Sequence, residues 1–179
     1  MEFTKLKVSD YPAFLSLYNQ TFDADQRRDY RDEHHLDSFI KEKGGKFHAF
    51  VAKDGDLFLG FLSYWTFQGY IYIEHFAVNP SQRGKRIGTL MLNHLIKEVG
   101  PDILIEVEHP DTEDNIRRIK FYERNGFRRR DEIEYIQPPY TPGKSPVKLL
   151  LMTHGDVRLN GKDDLKEMLQ EVYNVNSMK

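Results

Sequence analysis

Cysteine is absent from this chain of 179 residues. Disulfides, thiolate nucleophiles and cysteine-held metals are excluded together, and the composition suits a reducing compartment. Excess charge of one sign is missing too. The 26 basic and 28 acidic residues leave a formal net charge of −2. That disfavours a basic face over the whole domain, and with it nucleic acid as a partner. Long apolar runs are also lacking, since no stretch approaches the roughly 20 apolar residues of a membrane span. The opening MEFTKLKVSD has no apolar region behind a basic one, as a leader would. A cytoplasmic protein without a membrane partner is expected. No internal repeat or low-complexity segment breaks the chain.

What is present suffices for one domain with a real core. Apolar residues make up 39% and charged residues 30%, with 12 Phe and 10 Tyr among the aromatics. Phe3, Leu6 and Val8 suggest a first strand. Ser9 or Asp10 then caps a helix bearing Phe14, Leu15, Leu17 and Tyr18 on one side. Residues 26–35 are dense in charge and read as exposed. Leu36, Phe39 and Ile40 form a second helical stripe, stopped at Gly44-Gly45. Strands are expected over 47–53, 57–67 and 70–78, with turns at Asp54-Gly55 and Gln68-Gly69. A helix over 83–99, a strand over 103–108 and a helix over 115–124 follow. Two strands over 127–136 and 146–153 and a helix over 163–173 complete the order. The fold class is α/β in the α+β sense, a mixed and mostly antiparallel sheet flanked by helices, with a parallel strand–helix–strand insert. Residues 1–153 read as one domain and 154–179 as a C-terminal helical extension.

Residues 73–88, IEHFAVNPSQRGKRIG, run from strand through tight turn into a glycine-containing helix start. A helix N-terminus offers unpaired backbone N–H groups and a positive dipole end. Glycine lets an anion come close to that backbone, and Arg83, Lys85 and Arg86 add mobile positive charge. The pattern suits a pyrophosphate. The bland alternative is an ordinary turn carrying a solvated basic patch. Neither the Walker ending nor the Gly-x-Gly-x-x-Gly dinucleotide fingerprint is present.

The surrounding pattern resembles the GCN5-related N-acetyltransferase (GNAT) superfamily. There a strand ending in a small-apolar pair and Pro leads into Gln/Arg-x-x-Gly-x-Gly/Ala. Here Ala77-Val78-Asn79-Pro80 precedes Gln82-Arg83-Gly84-Lys85-Arg86-Ile87-Gly88. Arg86 replaces the usual middle glycine, and a backbone at negative φ would tolerate it. Residues 115–127, NIRRIKFYERNGF, resemble the family's Asn-x-x-Ala-x-x-Phe-Tyr-x-x-x-Gly-Phe, with Arg118 where Ala is usual. Gly126 reads as a left-handed C-cap of that helix. The resemblance spans roughly residues 3–135.

It implies an acetyl-CoA-dependent N-acyltransferase in which the acceptor amine attacks the thioester directly. Coenzyme A would be held by Phe76, Ala77, Val78, Gln82, Arg83, Gly84, Lys85, Arg86, Ile87, Gly88, Thr89, Asn115 and Tyr122. Strands 70–78 and 102–108 would splay to admit the pantetheine arm, with an N–H of Ala77 or Val78 polarising the carbonyl. Tyr122 matches the family's general acid, and a phenol is protonated at neutral pH. Asn115 contacts the cofactor or orients that Tyr, and it also reads as a helix N-cap.

Glu74, a carboxylate inside an apolar strand, is the candidate base, directly or through water. Strand alternation puts it on one face with Tyr72, Phe76 and Val78 and sets His75 on the other. A structural ion pair is the equal alternative for Glu74. Glu106 and Glu108 alternate on the next strand and either orient a cationic acceptor or face water. Residues 135–143, YIQPPYTPG, make a stiff loop in which Tyr135, Gln137 and Tyr140 could shape the acceptor pocket. No metal site is expected, and the acceptor is a small-molecule or peptide amine. The protein would be a monomer or homodimer. The competing readings are a non-catalytic acyl-CoA-binding or sensing domain and a binder of another nucleotide's phosphates.

Overall fold

A computed structural model describes residues 1–175 of the protein. Its contacts divide the chain into two compact units. The first holds Met1–Asp23, Asp29–Thr66 and Ile73–Gly100, and the second holds Ala24–Arg28, Phe67–Tyr72 and the described residues from 101 to 175. The described residues beyond 153, read above as an extension, belong with 101–153 in the second unit.

The first unit contains β1 (Glu2–Lys5), α1 (Tyr11–Thr21), α2 (Glu33–Lys43), β2 (Phe47–Asp54), nearly all of β3 (Leu57–Phe67), most of β4 (Tyr70–Val78) and α3 (Ile87–Val99). The strands lie side by side in the order β1-β2-β3-β4, and β2 is antiparallel to both β1 and β3. Asp54 pairs with Leu57, so the expected turn is a two-residue hairpin loop with Gly55 at φ +58°. β1 stops at Lys5, short of Val8, whose side chain is exposed.

Period-two alternation sorts the side chains onto two faces. Phe61 and Trp65 meet the helices on one face, with ring centroids 4.3 Å from Phe14 of α1 and 6.2 Å from Phe39 of α2. On the other face, His94 of α3 stacks on Phe3 at 4.5 Å and meets Phe50 edge-on at 5.0 Å. Each such large side chain stabilises by roughly 1.5–3 kcal/mol on full burial. α2 starts where the Asp32 side chain accepts from the His35 N–H at 2.8 Å. Asp10 precedes α1 without capping it. Its carboxylate instead accepts from the Lys7 N–H and pairs with Lys53 at 2.8 Å.

In the second unit the Ile71 N–H donates to the Asp102 carbonyl at 2.8 Å, just before β5 (Ile103–Glu108). Along β5 runs β8 (Val147–His154), antiparallel from Ile103↔His154 to Glu108↔Leu149. α4 (Glu113–Arg124) and α5 (Lys166–Tyr173) complete the unit with two short strands, β6 (Arg128–Arg129) and β7 (Tyr135–Gln137), both antiparallel to β8. The single strand expected over 127–136 is therefore two. Between them the chain makes a turn, the Ile133 N–H bonding the Arg130 carbonyl at 3.0 Å, and then continues along β8 in the same direction. The expected fold class, a mostly antiparallel sheet flanked by helices, is the one observed.

Candidate active site

After Val78 the chain reverses around Asn79. Its N–H donates to the Leu59 carbonyl at 2.8 Å, and its Oδ1 accepts from the Ser81 N–H at 3.1 Å and hydroxyl at 2.9 Å. A single 3-10 turn follows at Pro80–Gln82. The helix expected from residue 83 begins only at Ile87, because Gly84 (φ +81°) and Arg86 (φ +60°, ψ 13°) are left-handed. Negative φ was expected at Arg86, and the turn needs the opposite sign. That explains why glycine is usual there, since an L side chain in this region costs roughly 1–2 kcal/mol.

No side chain caps α3 at Arg86. The first N–H to reach back is that of Leu90, to the Arg86 carbonyl at 3.1 Å. Ile87, Gly88 and Thr89 therefore present N–H groups that no intrahelical carbonyl satisfies. Around them Arg83, Lys85 and Arg86 are exposed, with Lys85 Nζ resting on Gln82 Oε1 at 2.8 Å. The positive dipole end, the unsatisfied donors and three exposed cations thus lie together at this turn.

Gly60 is a close-approach position that sequence reasoning missed. A Cβ there would lie 2.4 Å from the Ala77 carbonyl oxygen and 3.1 Å from Val78 Cα. β3 can approach the end of β4 this closely only without a side chain. An isolated glycine within a strand was the available signal.

Glu74 has a side chain with 0% exposure, yet the residue as a whole is half-buried. Its exposed area is therefore main chain, in the middle of a strand. Phe76 and Val78 are half-buried as well, and Ala77 is buried. The Glu74 carboxylate accepts from Trp65 Nε1 at 2.7 Å and lies 4.0 Å from His75 Nδ1. His75 in turn reaches the Tyr18 hydroxyl at 3.4 Å and packs edge-on to Phe22. Both Glu74 and His75 thus turn toward the face that carries α1 and α2. Strict alternation, which separated them, does not hold between these two residues.

Tyr122 is buried on α4, its ring 5.2 Å from Phe121 and 5.3 Å from Phe127. Burial pushes its phenol pKa well up, Arg118 opposes this, and Glu108 adds to it. It is a weak acid and stays protonated at neutral pH. Arg118 is ion-paired with Glu108 of β5, so Glu108 is committed to α4. The N-cap of α4 is Thr112, whose hydroxyl accepts from the Asn115 N–H at 3.2 Å. Asn115 is inside the helix and spends its side chain on the His109 carbonyl at 3.0 Å. Past the helix, Gly126 takes φ +87° as expected.

Glu106 gathers the tyrosines of the second unit. It accepts from the Tyr135 hydroxyl and, at 2.9 Å, from Tyr173 of α5. The Tyr173 oxygen is also 2.9 Å from that of Tyr72, and the Tyr140 ring sits 4.9 Å from Tyr173. Burial, and then the Glu106 charge, raises the Tyr135 and Tyr173 phenols well above their ordinary range. Gln137, expected with this group, donates to the Asp25 carbonyl at 3.1 Å and anchors its loop. The sequence places Tyr173 only at the end of the helix expected over 163–173. A hydroxyl beside the apolar Met168, Leu169 and Val172 was the signal.

The model of the acetyltransferase (GNAT) family matches residues 11–127. A solved structure from Bacteroides thetaiotaomicron, named as a GNAT-family acetyltransferase, is 33% identical with a TM-score of 0.82, over 98% of this chain and 100% of that one. A Bacillus subtilis (strain 168) protein named as an acetyltransferase, YjbC, is 23% identical over 78% of this chain and 69% of its own length. The Brucella melitensis ribosomal-protein-alanine N-acetyltransferase shares 20% identity and a TM-score of 0.66, over 86% of this chain and 98% of its own, a likeness of fold alone.

Proposed function

We propose, from the premise that this chain belongs to the acetyltransferase (GNAT) family, that its uncapped α3 turn seats acetyl-coenzyme A and that Tyr122 is its general acid. The chain is an acetyl-CoA-dependent N-acyltransferase with an amine acceptor. The left-handed turn opening onto the unpaired N–H groups of Ile87, Gly88 and Thr89 carries the site assignment.

That turn fits a diphosphate in both charge and donor geometry. Gln82, Arg83, Gly84, Lys85 and Arg86 would surround it, with the main chain of Phe76, Ala77 and Val78 holding the pantetheine arm and Asn115, its Nδ2 tied to the His109 carbonyl, offering its Oδ1 to that arm. Acetyl-CoA supplies a thioester carbonyl, which an N–H of Ala77 or Val78 polarises. The neutral amine forms the new C–N bond, the C–S bond breaks, and Tyr122 gives its proton to the sulfur. The surplus amine proton leaves by water toward Glu74, whose carboxylate is enclosed and held by Trp65. Glu106, Tyr135 and Tyr140 form the acceptor pocket, and Gln137 fixes their loop. The acceptor is a small-molecule or peptide amine.

Calorimetry with acetyl-CoA tests the turn, and thiol release across an amine panel tests the chemistry. Tyr122→Phe keeps the packing on Phe121 and Phe127. It should lower kcat by roughly 10²–10⁴, the range of general acid–base catalysis, and leave the KM for acetyl-CoA nearly unchanged. An unaltered kcat would remove Tyr122 from the mechanism. Absence of binding heat would remove the turn, and binding without turnover would leave a sensing domain.

A further inference from the structure

The second unit holds a polar cluster that acyl transfer alone does not require. Glu106 lies at its centre, taking phenol donors from β7 through Tyr135 and from α5 through Tyr173. Tyr72 extends the cluster through Tyr173, and the ring of Tyr140 walls it. Tyr72, Tyr135, Tyr140 and Tyr173 are all buried.

Tyr70 stands beside this group. Its hydroxyl oxygen is buried and has no hydrogen-bond partner. A buried polar group left unpaired costs roughly 1–3 kcal/mol, and native proteins rarely leave one without a reason. Burial first, and then the charges of Glu167 in α5 and Asp164 just before it, hold its phenol in the neutral form. Tyr70 also acts electrostatically on Tyr135, which ties it to the Glu106 group.

Carboxylate and phenol oxygens accept hydrogen bonds, and aromatic faces attract positive charge. The cluster already draws one cation, since the guanidinium of Arg28 sits 5.0 Å over the Tyr140 ring. An anion would meet the Glu106 charge. A purely apolar group would leave the Tyr70 hydroxyl unpaired. A primary ammonium offers three donors, enough to share among a carboxylate, a phenol oxygen and a ring.

We propose that the tyrosine-walled carboxylate of Glu106, with Tyr70 and Tyr173, anchors a second positive charge on the acceptor, so that the preferred acceptors are diamines or longer polycationic amines rather than simple monoamines. The inference rests on the acceptor pocket assigned above and adds its substrate class. The amine to be acetylated must lose its proton to react. The distal ammonium keeps its charge and binds Glu106.

The test is calorimetry of 1,4-diaminobutane and 1,5-diaminopentane against 1-aminobutane and 1-aminopentane, at neutral pH, with and without coenzyme A. In the native protein the diamines should bind roughly tenfold or more tightly than the monoamines, as a charge-assisted bond provides. Glu106→Gln should erase that gap. Equal affinity for diamine and monoamine in the native protein overturns the proposal, whatever the variant does. A gap that survives in a folded Glu106→Gln protein, checked by its melting curve, overturns it too. None of these readings uses Tyr122 or turnover. Failure of the anchor is therefore separable from failure of the acetyl-CoA seat, which acetyl-CoA calorimetry reports alone.

Discussion

Arg86 holds a long cationic side chain in a backbone conformation that L residues avoid, one position before the free N–H groups of α3. Two terms oppose each other if it is replaced by glycine. The left-handed penalty of about 1–2 kcal/mol is relieved, while glycine's greater unfolded freedom takes back about 0.5–1 kcal/mol. Arg86→Gly should therefore raise the urea-unfolding free energy by about 0.5–1 kcal/mol. It should also weaken acetyl-CoA a few-fold and reduce the salt dependence of binding, since one cation leaves the seat. Lost stability would contradict the backbone assignment, and unchanged affinity would show that the side chain points elsewhere. The residue types at this turn were legible in the sequence because their charge and glycine content name an anion. The sign of φ at Arg86 was not. It follows from how the turn closes through Asn79 and Gly84, a matter of geometry that residue type leaves open.

At the scale of elements, β3 and β4 depend on one absent side chain. Gly60→Ala would drive its Cβ to within 2.4 Å of the Ala77 carbonyl. The obstruction is main chain, so a strand must shift rather than a rotamer. Overpacking of this kind costs typically about 1–3 kcal/mol. The displaced residues, Ala77 and Val78, are those assigned to the pantetheine arm. Gly60→Ala should thus lower both the melting temperature and acetyl-CoA affinity. Gly45→Ala meets nothing within 4 Å and should do neither. A fully stable Gly60→Ala protein with native affinity would show that this strand end is not held as described. Most strands and helices were readable because periods of 2 and 3.6 are written into the apolar residues. Two departures were not. The break in alternation at Glu74 and His75 swaps a face without altering composition. The break between β6 and β7 hides in a run whose Arg129–Asp131 and Arg130–Glu132 pairs turn locally.

The division of the whole molecule follows contacts that no local pattern announces. Residues 24–28 join the second unit because Gln137 and the Ser145 N–H both bond Asp25, at separations of 112 and 120 residues, and Arg28 donates to the Val172 carbonyl across 144. The same unit concentrates phenols that burial keeps neutral, namely Tyr70, Tyr122, Tyr135 and Tyr173. Unfolded tyrosine ionises near pH 10, and these four ionise higher in the folded state. Above pH 10 the unfolded chain therefore binds fewer protons, and stability falls as pH rises, by about 1.4 kcal/mol per pH unit for each such phenol. Their contribution is fully present below that pH and is lost toward the folded values. Urea unfolding at pH 8.5, 10 and 11 should show a flat region followed by a steep decline. Tyr173→Phe should flatten the decline by about one phenol's share, and Tyr122→Phe by about another. Lysines titrating in the same window are common to all three proteins, so the differences between curves isolate the phenols. Parallel curves for the native protein and both variants would mean that these hydroxyls ionise as freely folded as unfolded, and the buried cluster around Glu106 would have to be abandoned.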